Sequence, residues 1–455
     1  MSAVFECAAA RVLPLLAGAD PARTIAWRRG RAVSARAFLD DVATVAAALP
    51  AGRGAINLCE DRYAFLVAFC AVLARGQTNL LPPSRVPQAV DEALAAYPGS
   101  YALSDVARQP APPRCVLLPP LAAAADAVVD VPELDPVHVA AIGFTSGSTG
   151  APKANPKTWR AFHASATLNA AAIAATLGLP AGALAHVVAT VPSQHMYGIE
   201  LSVLLPLLGP FAVSDRHPLF PADVAAALAE LPAPRVLVTT PVHLRALLRD
   251  PAPLPPLGAI TSATAPLPPE LAAAAEARYG APVLELFGST ETCVIAQRRT
   301  AHEEDWRLYP DVTLRPQPDG TVVDTPYFEQ PVLLPDVVEL LPGHRFALRG
   351  RQADLVEIAG KRASLADLTR RVLALPGVED AAVFQTDEAD AFGVRRIAAL
   401  VVAPRRSEGE LLADLRDAVD AAFLPRPLRK VTALPRNATG KLPRAALLAA
   451  LQGAA

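Results

Sequence analysis

Between residues 54 and 287 short apolar runs alternate with helical periods, and the runs end in polar turns. Gly54–Leu58 precedes a helical pattern over Tyr63–Arg75, and Thr78–Leu81 follows it. Val187–Val191, Val236–Thr240, Ala259–Ser262 and Val283–Phe287 also read as strands, the first three leading into helical patterns over 199–208, 242–249 and 268–279. Helices between successive strands make the neighbours parallel, so this stretch predicts a parallel sheet covered by helices. Upstream, Thr24–Trp27 and Ala32–Ser34 flank a tight turn, and Ser34 is placed to cap the helix carrying Phe38, Val42, Val45 and Leu49.

The same alternation frames Phe144-Thr145-Ser146-Gly147-Ser148-Thr149-Gly150-Ala151-Pro152-Lys153. Before it Val137–Ile142 reads as a buried strand; after it a helical pattern runs from about Lys157 through Trp159, Phe162, Ala166 and Leu168. Glycines let backbone N–H groups turn inward without Cβ interference, and such a concavity binds phosphate oxygens. The hydroxyls add donors, and Lys153 adds a compact positive charge. A Walker loop is excluded, because it needs Gly-Lys-Ser/Thr in direct succession. A Ser/Gly-rich surface turn is the bland alternative. Ligands of open α/β sheets bind outside the carboxyl ends of the strands. Four such ends carry polar turns here: Pro192–Gly198 with His195, Thr240-Pro241, Ser262-Ala263-Thr264-Ala265-Pro266, and Gly288-Ser289-Thr290-Glu291.

The helical period disappears from about 305 to 349, where Thr321–Asp324, Val332–Leu334 and Arg345–Leu348 suggest a small β-subdomain. Past Arg351 a fresh pattern begins: helix 364–375, strands 379–385 and 395–403, helix 408–423, strand 429–434, helix 442–452. The expectation is an α/β protein with a large domain over 1–350, a hinge at 351–354, and a small mobile α+β domain over 355–455. A length of 455 residues accommodates this. A formal charge of −2 and no basic run argue against nucleic acid as a partner. No convincing membrane span or signal peptide is expected, since charges and prolines interrupt the apolar runs. The five cysteines have no metal spacing and read as reduced thiols of a cytoplasmic protein.

Residues 145–153 resemble the phosphate-binding loop of the adenylate-forming superfamily of acyl-CoA synthetases, aryl-acid ligases, peptide-synthetase adenylation domains and luciferases. Further segments extend the resemblance over essentially the whole chain. Phe287-Gly288-Ser289-Thr290-Glu291 resembles the family's aromatic-Gly-x-Thr-Glu, which implies Phe287 and Gly288 at the adenine, Thr290 on a phosphate oxygen and Glu291 as a Mg²⁺ ligand. Ser262, Ala263 and Thr264 stand where the family's backbone approaches adenine, though without its usual Gly-Gly. Asp336 stands where the family has the last residue of Thr-Gly-Asp, with Arg351 fifteen residues on, which implies a ribose contact. Pro435 through Lys441 resembles Pro-x-x-x-x-Gly-Lys and implies Lys441 as the mobile catalytic lysine. The hinge reads Gly-Arg-Gln-Ala-Asp where the family has Gly-Arg-x-Asp-Asp, so the pivot is Ala353 or Asp354, and Glu357 replaces a lysine.

The resemblance implies ATP-dependent activation of a carboxylic acid to an acyl-adenylate with Mg²⁺, then transfer to the phosphopantetheine thiol of CoA or an acyl carrier protein. His195, Tyr197, Ile199, Val203, Leu286 and Cys293–Ala296 would line an apolar pocket suited to an aryl or medium-chain acyl acid. His195 joins Lys441, Glu291 and Thr290 as a catalytic candidate. A monomer or dimer is expected. The rival classes are a P-loop-like kinase or ATPase, and a non-catalytic nucleotide binder on the same fold.

Overall fold

Ser34 caps its helix as its position predicts: its Oγ accepts from the Ala37 N–H at 3.2 Å, closing the amino end of Ala35–Ala48. The computed structural model describes residues 11–18, 20–82, 84–122, 130–146, 152–180, 182–351, 355–358, 361–389, 395–437 and 440–453. It divides into one unit of residues 1–312 with 324–330 and another of 313–323 with 331–455.

In chain order the first unit's strands are β1 (Leu13–Pro14), β2 (Thr24–Arg28), β3 (Arg31–Ser34), β4 (Gly54–Asn57), β5 (Thr78–Leu81), β6 (Tyr101–Ser104), β7 (Cys115–Leu117), β8 (Glu133–Leu134) and β9 (Val139–Ser146). They continue as β10 (Pro152–Thr158), β11 (Ala185–Ala189), β12 (Phe211–Ser214), β13 (Arg235–Thr239), β14 (Ala259–Ser262), β15 (Val283–Ser289), β16 (Cys293–Arg298) and β17 (Trp306–Leu308). The smaller sheet runs β10-β9-β5-β4-β6-β7, parallel from β9 to β7. In the larger sheet the order is β17-β16-β15-β14-β13-β11-β12-β2-β3, parallel from β15 to β2. So β2, from the start of the chain, lies beside β12 and makes β3 the far edge. Arg62–Ala74, apolar almost all round, is buried along nearly its whole length, as such a helix must be.

Several elements depart from the sequence reading. After β9 the chain does not pass straight into a helix. β10 returns antiparallel along β9, and the helix Trp159–Leu177 starts only where Thr158 Oγ1 caps it at the Ala161 N–H. Helices Pro87–Ala96 and Pro221–Ala229 and strands β6 and β12 were not anticipated, and residues 106–135 contain β7 and β8. The pattern read as helix over 199–208 is a π-helical turn, Ile199–Leu204, followed by an α-helical one, Leu205–Leu208.

The second unit contains β18 (Thr313–Gln317), β19 (Gly320–Asp324) and β20 (Val332–Leu334), then two hairpins, β21 (Asp336–Leu341) with β22 (Arg345–Arg351) and β23 (Leu355–Ile358) with β24 (Lys361–Ser364). It ends in a sheet of β25 (Asp380–Ala389), β26 (Arg395–Val402) and β27 (Leu428–Lys430). Alternate residues of β26 serve two cores: Ile397, Ala399 and Val401 pack with Leu368, Leu411 and Leu415, while Ala398, Leu400 and Val402 pack with Phe384, Leu434 and Leu447. Residues 352–354 of the expected hinge at 351–354 lie outside the described residues.

Candidate active site

The register Thr145↔Lys153 and Ser146↔Pro152 makes residues 147–151 the connection of the β9–β10 hairpin. Gly147, Ser148, Thr149 and Gly150 lie outside the described residues, as do the side chains of Thr145 and Ser146. Lys153 is exposed on β10, and Asn155 Nδ2 donates back to Lys153 O at 3.1 Å. The second motif turns at the end of β15. Ser289 Oγ accepts from the Glu291 N–H at 3.1 Å and the Thr292 N–H at 3.2 Å, and the chain reverses into β16 instead of starting a helix. A Cβ on Gly288 would stand 2.2 Å from Cys293 O, so glycine alone fits there. This turn packs on β9: a Cβ on Gly143 would lie 2.7 Å from Thr290 Cγ2 and 3.1 Å from Met196 Cε. The Thr290 turn therefore packs on β9 two residues before Thr145, where the first motif begins.

Glu291 is half-buried, with no ion-pair partner among the described residues. The described residues contain no group of three or more His, Cys, Asp or Glu able to hold a metal. A single uncommitted carboxylate suits Mg²⁺, which is usually held by one or two carboxylates together with substrate phosphates.

The ends of β11, β13, β14 and β15 lie side by side, with Thr239 paired to Ser262 and Ser262 to Glu285. Ser262 is fully buried, and its Oγ has no hydrogen-bond partner among the described residues. Ala263 is buried, and Thr264 takes φ +80° where the chain leaves the sheet. Phe287 is half-buried, its ring tilted 53° against Trp306 at 5.2 Å. His195 is half-buried at the start of Met196–Gly198, and its carbonyl accepts from the Ile199 N–H at 2.8 Å. The turn before it is closed by Gly198, where a Cβ would come within 1.9 Å of Pro192 O. Tyr197, buried, shares a 2.9 Å hydrogen bond with Thr261 Oγ1 of β14, and burial pushes its phenol pKa up.

In the second unit, Asp336 is buried at the start of β21, and the register pairs it with Arg351 across the hairpin. The Arg351 side chain lies outside the described residues. Lys441 is exposed, and its backbone is tied to Asn437: the Lys441 N–H donates to Asn437 Oδ1 and the Asn437 N–H to Lys441 O, both at 2.9 Å. Arg436 steadies this loop by donating to Gly440 O at 3.0 Å and to both Asp380 oxygens at 2.9 and 3.1 Å.

A sequence profile of AMP-binding enzymes matches residues 17–326. The chain belongs to the AMP-binding enzyme family. A 4-coumarate–CoA ligase of Rhodobacter capsulatus is 31% identical over 305 residues, 66% of this chain and 74% of the relative. A sulfoacetate–CoA ligase of Cupriavidus necator is 27% identical over 372 residues, 73% of this chain and 71% of the relative. Among solved structures, ATP-bound MatB from Rhodopseudomonas palustris is similar with a TM-score of 0.80 at 19% identity, covering 96% of this chain and 97% of that one. The o-succinylbenzoate CoA synthetase MenE of Bacillus subtilis, in complex with its acyl-adenylate intermediate, gives a TM-score of 0.76 at 19% identity, covering 94% and 95%. The fold is that of the adenylate-forming enzymes.

This AMP-binding enzyme also has buried charges that motif reading passed over. Lys157, on β10 and 6% exposed, donates from Nζ to the backbone carbonyl of Glu291. Glu200, 2% exposed in the π-helical turn, accepts at Oε2 from the Val294 N–H at 3.0 Å, from Asn169 Nδ2 at 3.2 Å and from the Ser165 hydroxyl. Burial raises its carboxyl pKa, against the pull of those donors and of Lys157. Arg62 is buried and donates to Ala189 O, Val191 O, Ser193 Oγ, Ser202 Oγ and Arg216 O; burial lowers its pKa to about 10. Of the three, only Glu200 is an isolated charge inside an apolar run; Lys157 and Arg62 stand among polar neighbours and gave no such signal.

Proposed function

We propose that this enzyme joins a carboxylic acid to a thiol in two steps. A carboxylate oxygen attacks the α-phosphorus of ATP in line and pyrophosphate leaves with the bonding pair, giving an acyl-adenylate. The sulfur of CoA, or of a carrier protein's phosphopantetheine, then attacks the acyl carbon, and AMP departs. The observation that carries this reading is the packing of Thr290 against β9 near the start of the 147–150 stretch, at the carboxyl end of parallel strands. The curated relatives cited are CoA ligases, which favours CoA as acceptor.

Residues 145–150 and Lys153 hold the β- and γ-phosphates, Thr290 a phosphate oxygen, and Lys441 offsets the charge of the substrate carboxylate and the α-phosphate. A Mg²⁺ held with Glu291 would supply neutralisation of phosphate charge. Ser262, Ala263, Thr264, Phe287 and Gly288 face the adenine, and Asp336 and Arg351 the ribose. His195, Tyr197, Ile199, Val203 and Leu286, with Cys293–Ala296, receive an aryl or medium-chain acyl acid; apart from His195 this set is buried. A cytoplasmic setting accords with free thiols at Cys59, Cys70, Cys115 and Cys293.

The test is acid-dependent ATP–pyrophosphate exchange over aryl, medium-chain and short acids, followed by product analysis with CoA and with a phosphopantetheinylated carrier. Exchange with aryl or medium-chain acids, and release of AMP, is the expected result. Release of ADP, or no exchange with any carboxylate, would overturn the reading.

A further inference from the structure

The turn carrying Thr290 and Glu291 is gripped from both ends by buried charges. On one side Lys157 reaches from β10 to the carbonyl of Glu291. On the other, Glu200 takes the N–H of Val294 at 3.0 Å, just after Cys293 has turned the chain into β16 at φ +60°. Glu200 is itself braced by Ser165 and Asn169 of the helix Trp159–Leu177, which follows directly on the strand that carries Lys157. Asn169 is held in turn by the Tyr309 hydroxyl at 2.9 Å. One continuous segment, β10 and its helix, thereby fixes both ends of the turn, while Gly143 of β9 lets Thr290 sit flush against the hairpin.

Burying an ammonium and a carboxylate carries a desolvation cost that apolar side chains of similar size avoid, and here the bonds that offset it run to the backbone at the two ends of one turn. We propose that Lys157 and Glu200 are positioning residues for nucleotide binding: acting together, they lock the Thr290–Glu291 turn against the β9–β10 hairpin and so set the affinity for Mg·ATP. The inference rests on Thr290 and Glu291 being the nucleotide-side residues of the proposed function. It adds a specific cause for their geometry. Lys157 acts through a backbone carbonyl and Glu200 through a backbone N–H, so neither needs to touch the nucleotide.

The test compares the unaltered chain with Lys157→Met, Glu200→Leu, the double variant and Lys157→Arg, with Glu291→Gln as reference. Mg·ATP binding is measured by calorimetry, KM and kcat by pyrophosphate exchange, and ligand-free stability by thermal melting. Lys157→Met should weaken Mg·ATP binding about tenfold and raise KM for Mg·ATP, with a smaller change in kcat. Lys157→Arg, which keeps a donor for the Glu291 carbonyl, should recover most of the affinity. The double variant should be no weaker than the worse single one, because both act on one turn. Should Lys157→Met fail to fold, the shorter and uncharged Lys157→Gln serves the same comparison. Variants that melt earlier yet bind Mg·ATP as the unaltered chain does would make the pair purely structural and overturn the proposal. If Glu291→Gln itself leaves Mg·ATP affinity unchanged, the underlying assignment of Glu291 fails instead, separately from the clamp.

Discussion

Lys441 follows Gly440, whose φ of +79° is a left-handed conformation that glycine adopts freely, and the loop around it is tied to Asn437 and Arg436. Lys441→Ala should slow pyrophosphate exchange on the order of 10²–10³-fold while sparing thioester formation from a preformed acyl-adenylate, since the charge is needed only where two anions meet. Equal losses in both half-reactions would remove Lys441 from the chemistry. Thr290, Glu291 and Lys441 can be proposed from the sequence because each belongs to a spaced motif. Glu200 cannot, and the reason is geometric. In Ile199–Leu204 the hydrogen bonds follow a π-helical pattern, so the 3.6-residue period no longer says which side faces the core. Lys157 was hidden by the reading of residue 157 as the first turn of a helix, where a lysine would face water.

Elements were legible where one rule dominated. The parallel strands β4, β5, β9, β11, β13, β14 and β15 were readable as apolar runs, while β6, β7 and β12 were not, and β5 and β14 fall at the boundaries expected from residue type. β10 was missed because Pro152, Asn155 and Pro156 discourage a strand. It lies at the edge of the smaller sheet, where a proline leaves no neighbouring strand short of a donor. The turn Pro192–Gly198 offers a test at this scale. Gly198→Ala would drive a methyl into Pro192 O, so the variant should lose about 1–3 kcal/mol of stability and shift His195. Chemical denaturation, with acid KM measured alongside, checks it; an unchanged midpoint would mean the turn relaxes freely.

At the scale of the molecule, acid is the informative stress. His186 of β11 is buried and accepts at Nδ1 from the Trp27 Nε1–H of β2 at 2.9 Å, so a bond between distant parts of the chain depends on a neutral imidazole. Burial, aided by Arg235, pushes its pKa from 6.5 down to about 4. Between those values the unfolded chain binds the extra proton, so this contribution is full above about pH 6.5 and is lost as pH falls towards 4. His186→Asn, which supplies an acceptor that does not titrate, should flatten the fall in melting temperature across that window; an unaltered slope would refute the assignment. The position of β2 between β3 and β12 has another consequence, one that concerns biosynthesis. On the ribosome Thr24–Arg28 emerges long before Phe211–Ser214, and Arg62 long before Ala189, Val191, Ser193, Ser202 and Arg216. The amino-terminal strands cannot complete their sheet as they are made. Until residue 216 has been added, the nascent chain carries an open strand edge at β2 and the Arg62 guanidinium is left to water, and an unpaired edge of that kind is prone to aggregate.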